Sequence, residues 1–156
     1  MKHLLVACMG LAFGLISCKE ERKLVGSWEV VKIQEVSTIK NHPIAARNVT
    51  IDTTIYPKAG ESEIWTFTKK GVLLKQNTYA NGNTECETYS YMIIDKTLYC
   101  EGAEVAISIN GKEMTLTYED VEDRLEYYDE DGNWLPMDQR KKYQEYNKEV
   151  RTLKER

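Results

Sequence analysis

Between residues 72 and 118 apolar and polar side chains alternate around short turn signals, and that pattern restricts the chain to antiparallel sheet. Asn110-Gly111 is the clearest case. Taken as a two-residue turn, it sets Ile107 opposite Met114, Val105 opposite Leu116, and Ala103 opposite Tyr118. The other face then carries Ser108, Glu113, Ala106 and Thr115, so one face is apolar and one mostly polar, as a half-buried sheet needs. A similar turn at Asn81-Gly82 pairs Leu74 with Tyr89 and Val72 with Tyr91. A turn at Asp95-Lys96 pairs Ile93 with Leu98 and Tyr91 with Cys100. Asn-Gly is the strongest short hairpin signal, because a type I′ turn needs positive φ at both central residues.

Further strands are expected at 26–36 and 48–56, where Val49, Ile51, Thr53 and Ile55 alternate, at 63–68, where Trp65 and Phe67 share a face, and at 124–129. Residues 37–47, with His42-Pro43, are expected to be an irregular loop. From Pro136 the pattern changes. Residues 137–156 hold no Gly, Pro or Cys, and Tyr143, Tyr146, Val150 and Leu153 recur at 3-4-3 spacing, which predicts a C-terminal helix over 136–156 with one narrow apolar stripe. The fold class is mainly β: an antiparallel meander of eight or nine strands closing as a barrel, over residues 24–135, followed by that helix. Closure would remove the exposed edges of the sheet.

The N-terminus carries an address. Met1, Lys2 and His3 precede an apolar run from Leu4 to Ser17. Fourteen residues are too few for a bilayer core of about 30 Å, which takes roughly 20, but suit a secretion signal. The run ends Leu15-Ile16-Ser17-Cys18 and is followed by Lys19-Glu20-Glu21-Arg22. Leu-Ile-Ser-Cys resembles the lipobox of bacterial lipoproteins. That resemblance implies a signal peptide over 1–17, cleavage before Cys18, acylation of its thiol and amine, and a lipidated tether over 18–23. Two or three acyl chains hold where one would not, at about 0.8 kcal/mol per buried CH₂. Lys19 in place of Asp resembles the outer-membrane sorting pattern, and Lys-Glu-Glu resembles a surface-export tag. The membrane is therefore an expected partner through the lipid on Cys18, at the outer membrane on either its periplasmic or outer face.

Removing residues 1–17 takes away one charge, Lys2, so 21 basic residues become 20 against 25 acidic, a net charge of -5. That balance argues against nucleic acid, which needs a concentrated basic surface. Of the four cysteines, Cys8 lies in the signal and Cys18 takes lipid. Cys86 and Cys100 fall on opposite faces in the expected register, which favours two thiols; a disulfide would need a bulge or another register.

A second resemblance lies in Leu24-Val25-Gly26-Ser27-Trp28, which is similar to the Gly-x-Trp opening of lipocalin-like domains. Trp65-Thr66-Phe67-Thr68-Lys69-Lys70-Gly71 and Tyr91-Met92-Ile93-Ile94-Asp95-Lys96-Thr97-Leu98 resemble the aromatic strand and Tyr-x-Ile hairpin of small lipocalin-like lipoproteins. Over 24–118 this implies a meander barrel in which Gly26 and Trp28 serve the closed end. Such a barrel has room for side chains and one small ligand. The candidate ligand-binding set is Trp65, Phe67, Leu74, Tyr89, Tyr91, Leu116 and Tyr118, apolar walls with hydroxyls that suit a small apolar or amphipathic molecule. The alternative is a filled interior and an interaction module that binds an envelope protein, as an inhibitor or assembly factor.

Catalytic and metal chemistry find little to use. His42 is the one histidine after the signal, and as a loop residue beside Pro43 it is expected to be solvated. No Cys-x-x-Cys or His-Glu-x-x-His is present, so neither a metal nor a cofactor is expected, and no enzyme activity. Asp129-Glu130-Asp131-Gly132-Asn133 resembles part of a calcium loop but has Tyr127 where the pattern wants an acid, so a plain Asp-Gly turn is the better reading. Glu119, Asp120, Glu122 and Asp123 are expected to be a solvated charged loop.

Overall fold

A computed structural model describes residues 22–100 and 102–156. Nine strands form one antiparallel sheet: β1 (Gly26–Lys40), β2 (Thr50–Ile55), β3 (Ser62–Phe67), β4 (Val72–Thr78), β5 (Thr84–Ile94), β6 (Thr97–Cys100), β7 (Ala103–Asn110), β8 (Glu113–Leu125) and β9 (Lys142–Glu155). The order is β2-β1-β3-β4-β5-β6-β7-β8-β9, and β1 also pairs with β9. Eight strands thus close on themselves as an antiparallel barrel, and β2 is an extra strand on β1. The mainly β barrel expected from the hairpin pattern is the fold.

The chain clusters into two compact units. One comprises the described residues up to Lys32, Tyr56–Leu116 and Arg151–Arg156; the other comprises Ile33–Ile55 and Thr117–Val150. The first unit holds the apolar core. Leu24, Trp28, Val30, Trp65, Phe67, Leu73, Leu98, Val105, Met114, Leu116 and Leu153 are each at most 1% exposed. All but Leu24, which precedes β1, come from alternate positions of their strands, as the period-two pattern requires. In the second unit β1 and β2 pair from Ile33↔Ile55 to Thr38↔Thr50, and every residue of β2 is exposed.

Three connections share one construction that explains where the expected register fails. Thr68, Tyr79 and Asp129 each donate their N–H to the carbonyl of the residue four places on (Val72, Asn83, Asn133), at 2.9 Å in each case. In each, the glycine one place earlier returns its N–H to the first residue's carbonyl, at 3.2, 2.8 and 3.2 Å, with Gly71, Gly82 and Gly132 at φ +72°, +81° and +82°. These are three-residue hairpin loops in which glycine takes the left-handed third place, not two-residue type I′ turns. At Asn81-Gly82 the extra residue slips the register by one. Leu73, not Leu74, faces Tyr89, and Leu74 faces Thr88. Because side chains alternate, a one-residue slip moves Leu74 to the outer face, where it is 42% exposed, and buries Leu73 completely. Val72 likewise faces Ser90 rather than Tyr91.

The other two turns behave differently. Asp95-Lys96 is a two-residue turn, with Tyr91↔Cys100 and Ile93↔Leu98 paired as expected. Both turn residues sit at positive φ, +47° and +64°, without a glycine. The last hairpin turns on Gly111 and Lys112, between Asn110 and Glu113, one place later than expected. Moving both turn positions by one leaves the faces unchanged, so Val105, Ile107, Met114 and Leu116 are still buried.

The C-terminal helix is not formed. Residues 137–139 make one 3-10 turn after Pro136, and Lys142–Glu155 is the closing strand β9. The barrel therefore runs past residue 135 to the end of the chain. By strand alternation Tyr143, Glu145, Asn147, Glu149, Arg151 and Leu153 share a face, and that face is mostly polar. Its polarity hides the period of two, while Tyr146 and Val150 supply an accidental helical spacing. The face is satisfied by partners distant in sequence: Tyr143 stacks on His42, Glu145 meets Arg124 at 3.2 Å, and Arg151 pairs with Glu63. Two further expectations change. β1 runs on to Lys40, shortening the loop, and the acidic cluster lies in strand β8, where Glu119 meets Lys148 at 2.8 Å.

Candidate functional site

In the first unit three of the seven expected ligand residues, Trp65, Phe67 and Leu116, are built into the core. Trp65 and Phe67 lie on one face of β3, with ring centroids 6.2 Å apart, and both are 1% exposed. Leu116 is fully buried. Tyr91 meets Phe67 edge-on at 5.2 Å and donates its hydroxyl to the Thr68 carbonyl at 2.8 Å. Trp65 faces Trp28 across the β1–β3 pair, and Trp28 Nε1 donates to the Leu24 carbonyl at 2.8 Å, so its one polar atom is satisfied within the core. Gly26, which precedes it, has a φ of +148° that suits a residue without Cβ.

Charged side chains border this core. Lys75 Nζ lies 4.2 Å from the Trp65 ring centroid and 4.8 Å from that of Tyr89, within cation–π range of both. Trp65 Nε1 donates to Glu63 Oε1 at 2.7 Å, Arg151 pairs with the same carboxylate, and the Tyr89 hydroxyl bonds Glu87. Of the remaining expected residues, Leu74 is outside, and Tyr118, half-buried, belongs to the second unit.

The second unit holds groups that a reading of the sequence missed. His42 is 7% exposed, not solvated, and Glu126 is 6% exposed. His42 Nε2 lies 2.7 Å from Glu126 Oε2, and Arg47 NH1 is 2.8 Å from the same oxygen. Glu126 Oε1 accepts the backbone N–H groups of Tyr127 and Tyr128 at 3.0 and 2.9 Å. Burial alone would push this carboxyl's pKa up. The Tyr128 N–H, then the charges of Arg47 and His42, outweigh that and hold it below the ordinary value. His42 Nδ1 lies 3.0 Å from the Ile44 nitrogen and 3.2 Å from the Ile44 carbonyl oxygen, while Nε2 faces Glu126. Both ring nitrogens are committed, so this His–Glu pair offers no vacant base; it fastens the 42–48 loop to Glu126. Asn48 completes the fastening by accepting the His42 N–H at 2.9 Å and donating to its carbonyl at 3.2 Å.

Beside Glu126, the Asp-Gly turn closes a small hairpin in which Tyr128 faces Trp134. Asp129 Oδ1 accepts the N–H groups of Asp131 and Asn133 at 3.0 and 2.8 Å, and the Asn133 N–H is the main cause holding its pKa low. The Asp131-Gly132 turn is thus formed. Trp134 contacts Tyr127 at 5.6 Å and Tyr128 at 5.3 Å between centroids, yet remains 61% exposed. The Arg140 guanidinium stacks over Tyr127 and Trp134, 4.8 Å from each, and its Nε donates to the Leu135 carbonyl at 3.1 Å. A cleft of about 450 Å³ opens here, with Pro43, Ile44, Tyr128 and Leu135 as apolar wall and Glu130, Asp138, Arg140 and Lys141 as polar wall. Its signal in the sequence was the placing of Tyr127-Tyr128 and Trp134 on either side of Asp131-Gly132, which a hairpin brings face to face.

Cys86 and Cys100 are not joined by a disulfide; Cys86 faces Gln76, and Cys100 faces Tyr91. Cys18 and the signal segment lie outside the described residues. Among the described residues no group of His, Cys, Asp and Glu is arranged to hold a metal ion. Compared with family models, with curated proteins and with solved structures, the chain matches none.

Proposed function

We propose that this is a lipid-anchored envelope lipoprotein, tethered to the outer membrane through Cys18, whose lipocalin-like barrel binds a small amphipathic molecule without catalysing a reaction. The observation that carries the binding reading is a closed antiparallel barrel in a chain that also presents a cleft with both apolar and charged walls, the combination that small-molecule sites use. The Gly26-Ser27-Trp28 start, with Trp28 buried and its indole satisfied, supports the lipocalin likeness. The Leu15-Ile16-Ser17-Cys18 box supports the anchor.

The test uses protein purified from its native host in detergent. Mass spectrometry should find an N-terminal peptide beginning at acylated Cys18, and a Cys18→Ala variant should leave the membrane fraction. An unmodified chain still starting at Met1 would overturn the anchor. Small molecules released from the purified protein should include an amphipathic species. A second reading, a solid barrel that binds an envelope protein, is favoured by the burial of Trp65, Phe67 and Leu116. It predicts a copurifying protein and no released small molecule.

A further inference from the structure

We infer that the cleft beside Arg140 is a site for a monoanionic carboxylate carrying an apolar body. This rests on the small-molecule reading above but not on the lipid anchor. Arg47, Arg124, Arg151 and Arg156 each meet a carboxylate. Arg140 meets none among the described residues, in a chain with more acids than bases. It is nevertheless held in place: the two ring contacts and the bond from Nε to Leu135 fix its plane. Those contacts leave both terminal nitrogens for a ligand. A guanidinium fixed in advance loses little freedom on accepting a carboxylate through two parallel hydrogen bonds.

The cleft's charges select among anions. Glu126 and Asp129 are already occupied by partners within the protein, so they neither neutralise Arg140 nor compete for it. Glu130 and Asp138 remain on the wall; Lys141 offsets one of them, and the other opposes a second negative charge on the ligand. A single carboxylate is therefore preferred over a phosphate dianion. Ile44, Leu135 and the Tyr128 ring offer apolar surface for the rest of the molecule, in a volume that suits a chain of several carbons.

Octanoate is a suitable probe, with 1-octanol and octyl phosphate at pH 8 as comparisons. The readout is the indole N–H signals of the three tryptophans and the Arg140 Nε–H signal in a ¹H–¹⁵N spectrum of the full folded domain. Octanoate should shift Trp134 and Arg140 saturably, with octanol and octyl phosphate about tenfold weaker. Arg140→Gln and Arg140→Lys should each weaken octanoate by about tenfold, since the lysine keeps charge but loses the planar fork. The double change Glu130→Gln and Asp138→Asn should narrow the gap between octyl phosphate and octanoate. Equal binding of octanol and octanoate, or an Arg140→Lys variant that binds like the parent, would overturn the proposal. Shifts at Trp65 without shifts at Trp134 would also overturn it, while keeping the reading of the protein as a small-molecule binder. Unmoved signals at all three tryptophans would count against both.

Discussion

Leu73 and Leu74 are adjacent leucines in one strand, and their truncation should have opposite consequences. Leu73 is fully buried and faces Tyr89; Leu74 is 42% exposed and faces Thr88. Leu73→Ala removes three carbons from a packed core and leaves a cavity, which costs about 2–5 kcal/mol. Leu74→Ala removes partly solvated surface and should cost under about 1 kcal/mol. Urea unfolding followed by tryptophan fluorescence would measure both. With a slope of about 2 kcal/mol/M, Leu73→Ala should lower the midpoint by about 1–2.5 M, and Leu74→Ala by under about 0.5 M. The slopes should agree with the parent's, so that the midpoints report stability alone. The reverse order of effects would refute the three-residue turn at Ala80-Asn81-Gly82, because a two-residue turn puts Leu74 inside. Equal, small effects would refute the placing of β4 in the core.

Other outcomes follow from the same structure. Gly71→Ala should destabilise more than Gly82→Ala: both force alanine to a positive φ, at about 1–2 kcal/mol, but at Gly71 the new Cβ also comes to 3.0 Å from the Tyr91 carbonyl, whereas at Gly82 it meets open space. Lys96→Gly should stabilise by about 0.5–1 kcal/mol and raise the thermal midpoint by a few degrees, because Lys96 sits at φ +64° in a type I′ turn. Glu126→Gln should cost about 1.5–3 kcal/mol at pH 7, the range for hydrogen bonds to a charged group, and raise hydrogen exchange in the 42–48 loop. The Glu126 pKa is depressed in the native state, so its contribution is whole above the ordinary value of 4.5 and fades as pH falls through the native value. The stability gap between parent and Glu126→Gln should therefore shrink from pH 7 to pH 3; a constant gap would contradict this ion cluster.

How much of this was legible in the sequence depended on which partner a side chain uses. Core faces were legible where the partner lies a few residues away across a tight turn: Ile93 with Leu98, and the buried row Val105, Ile107, Met114 and Leu116. Register was less so, because Asn-Gly is compatible with glycine in the second place of a two-residue loop or the third of a three-residue loop. The choice between them decides whether Leu73 or Leu74 is inside. β9 was misread because its shared face is polar. Glu145, Arg151 and Tyr143 are satisfied by Arg124, Glu63 and His42, and no local pattern announces partners that far away. The burial of His42 was hidden for the same reason, since its partner Glu126 lies beyond most of the sheet in sequence. For the candidate site, the aromatic flanks of the Asp-Gly turn were visible, whereas the stacking of Arg140 on them depended on the path of the chain after Pro136.

The claim on which the rest depends is that the C-terminal segment closes the barrel as a strand. The direct measurement is an NMR assignment of residues 142–156, with amide exchange and cross-strand contacts. The account predicts extended carbon shifts from Lys142 to Glu155, with a protected Arg156 amide bonded to the Ser27 carbonyl, 3.0 Å away. Helical shifts, with sequential amide contacts along 142–155 and a freely exchanging Arg156, would contradict it.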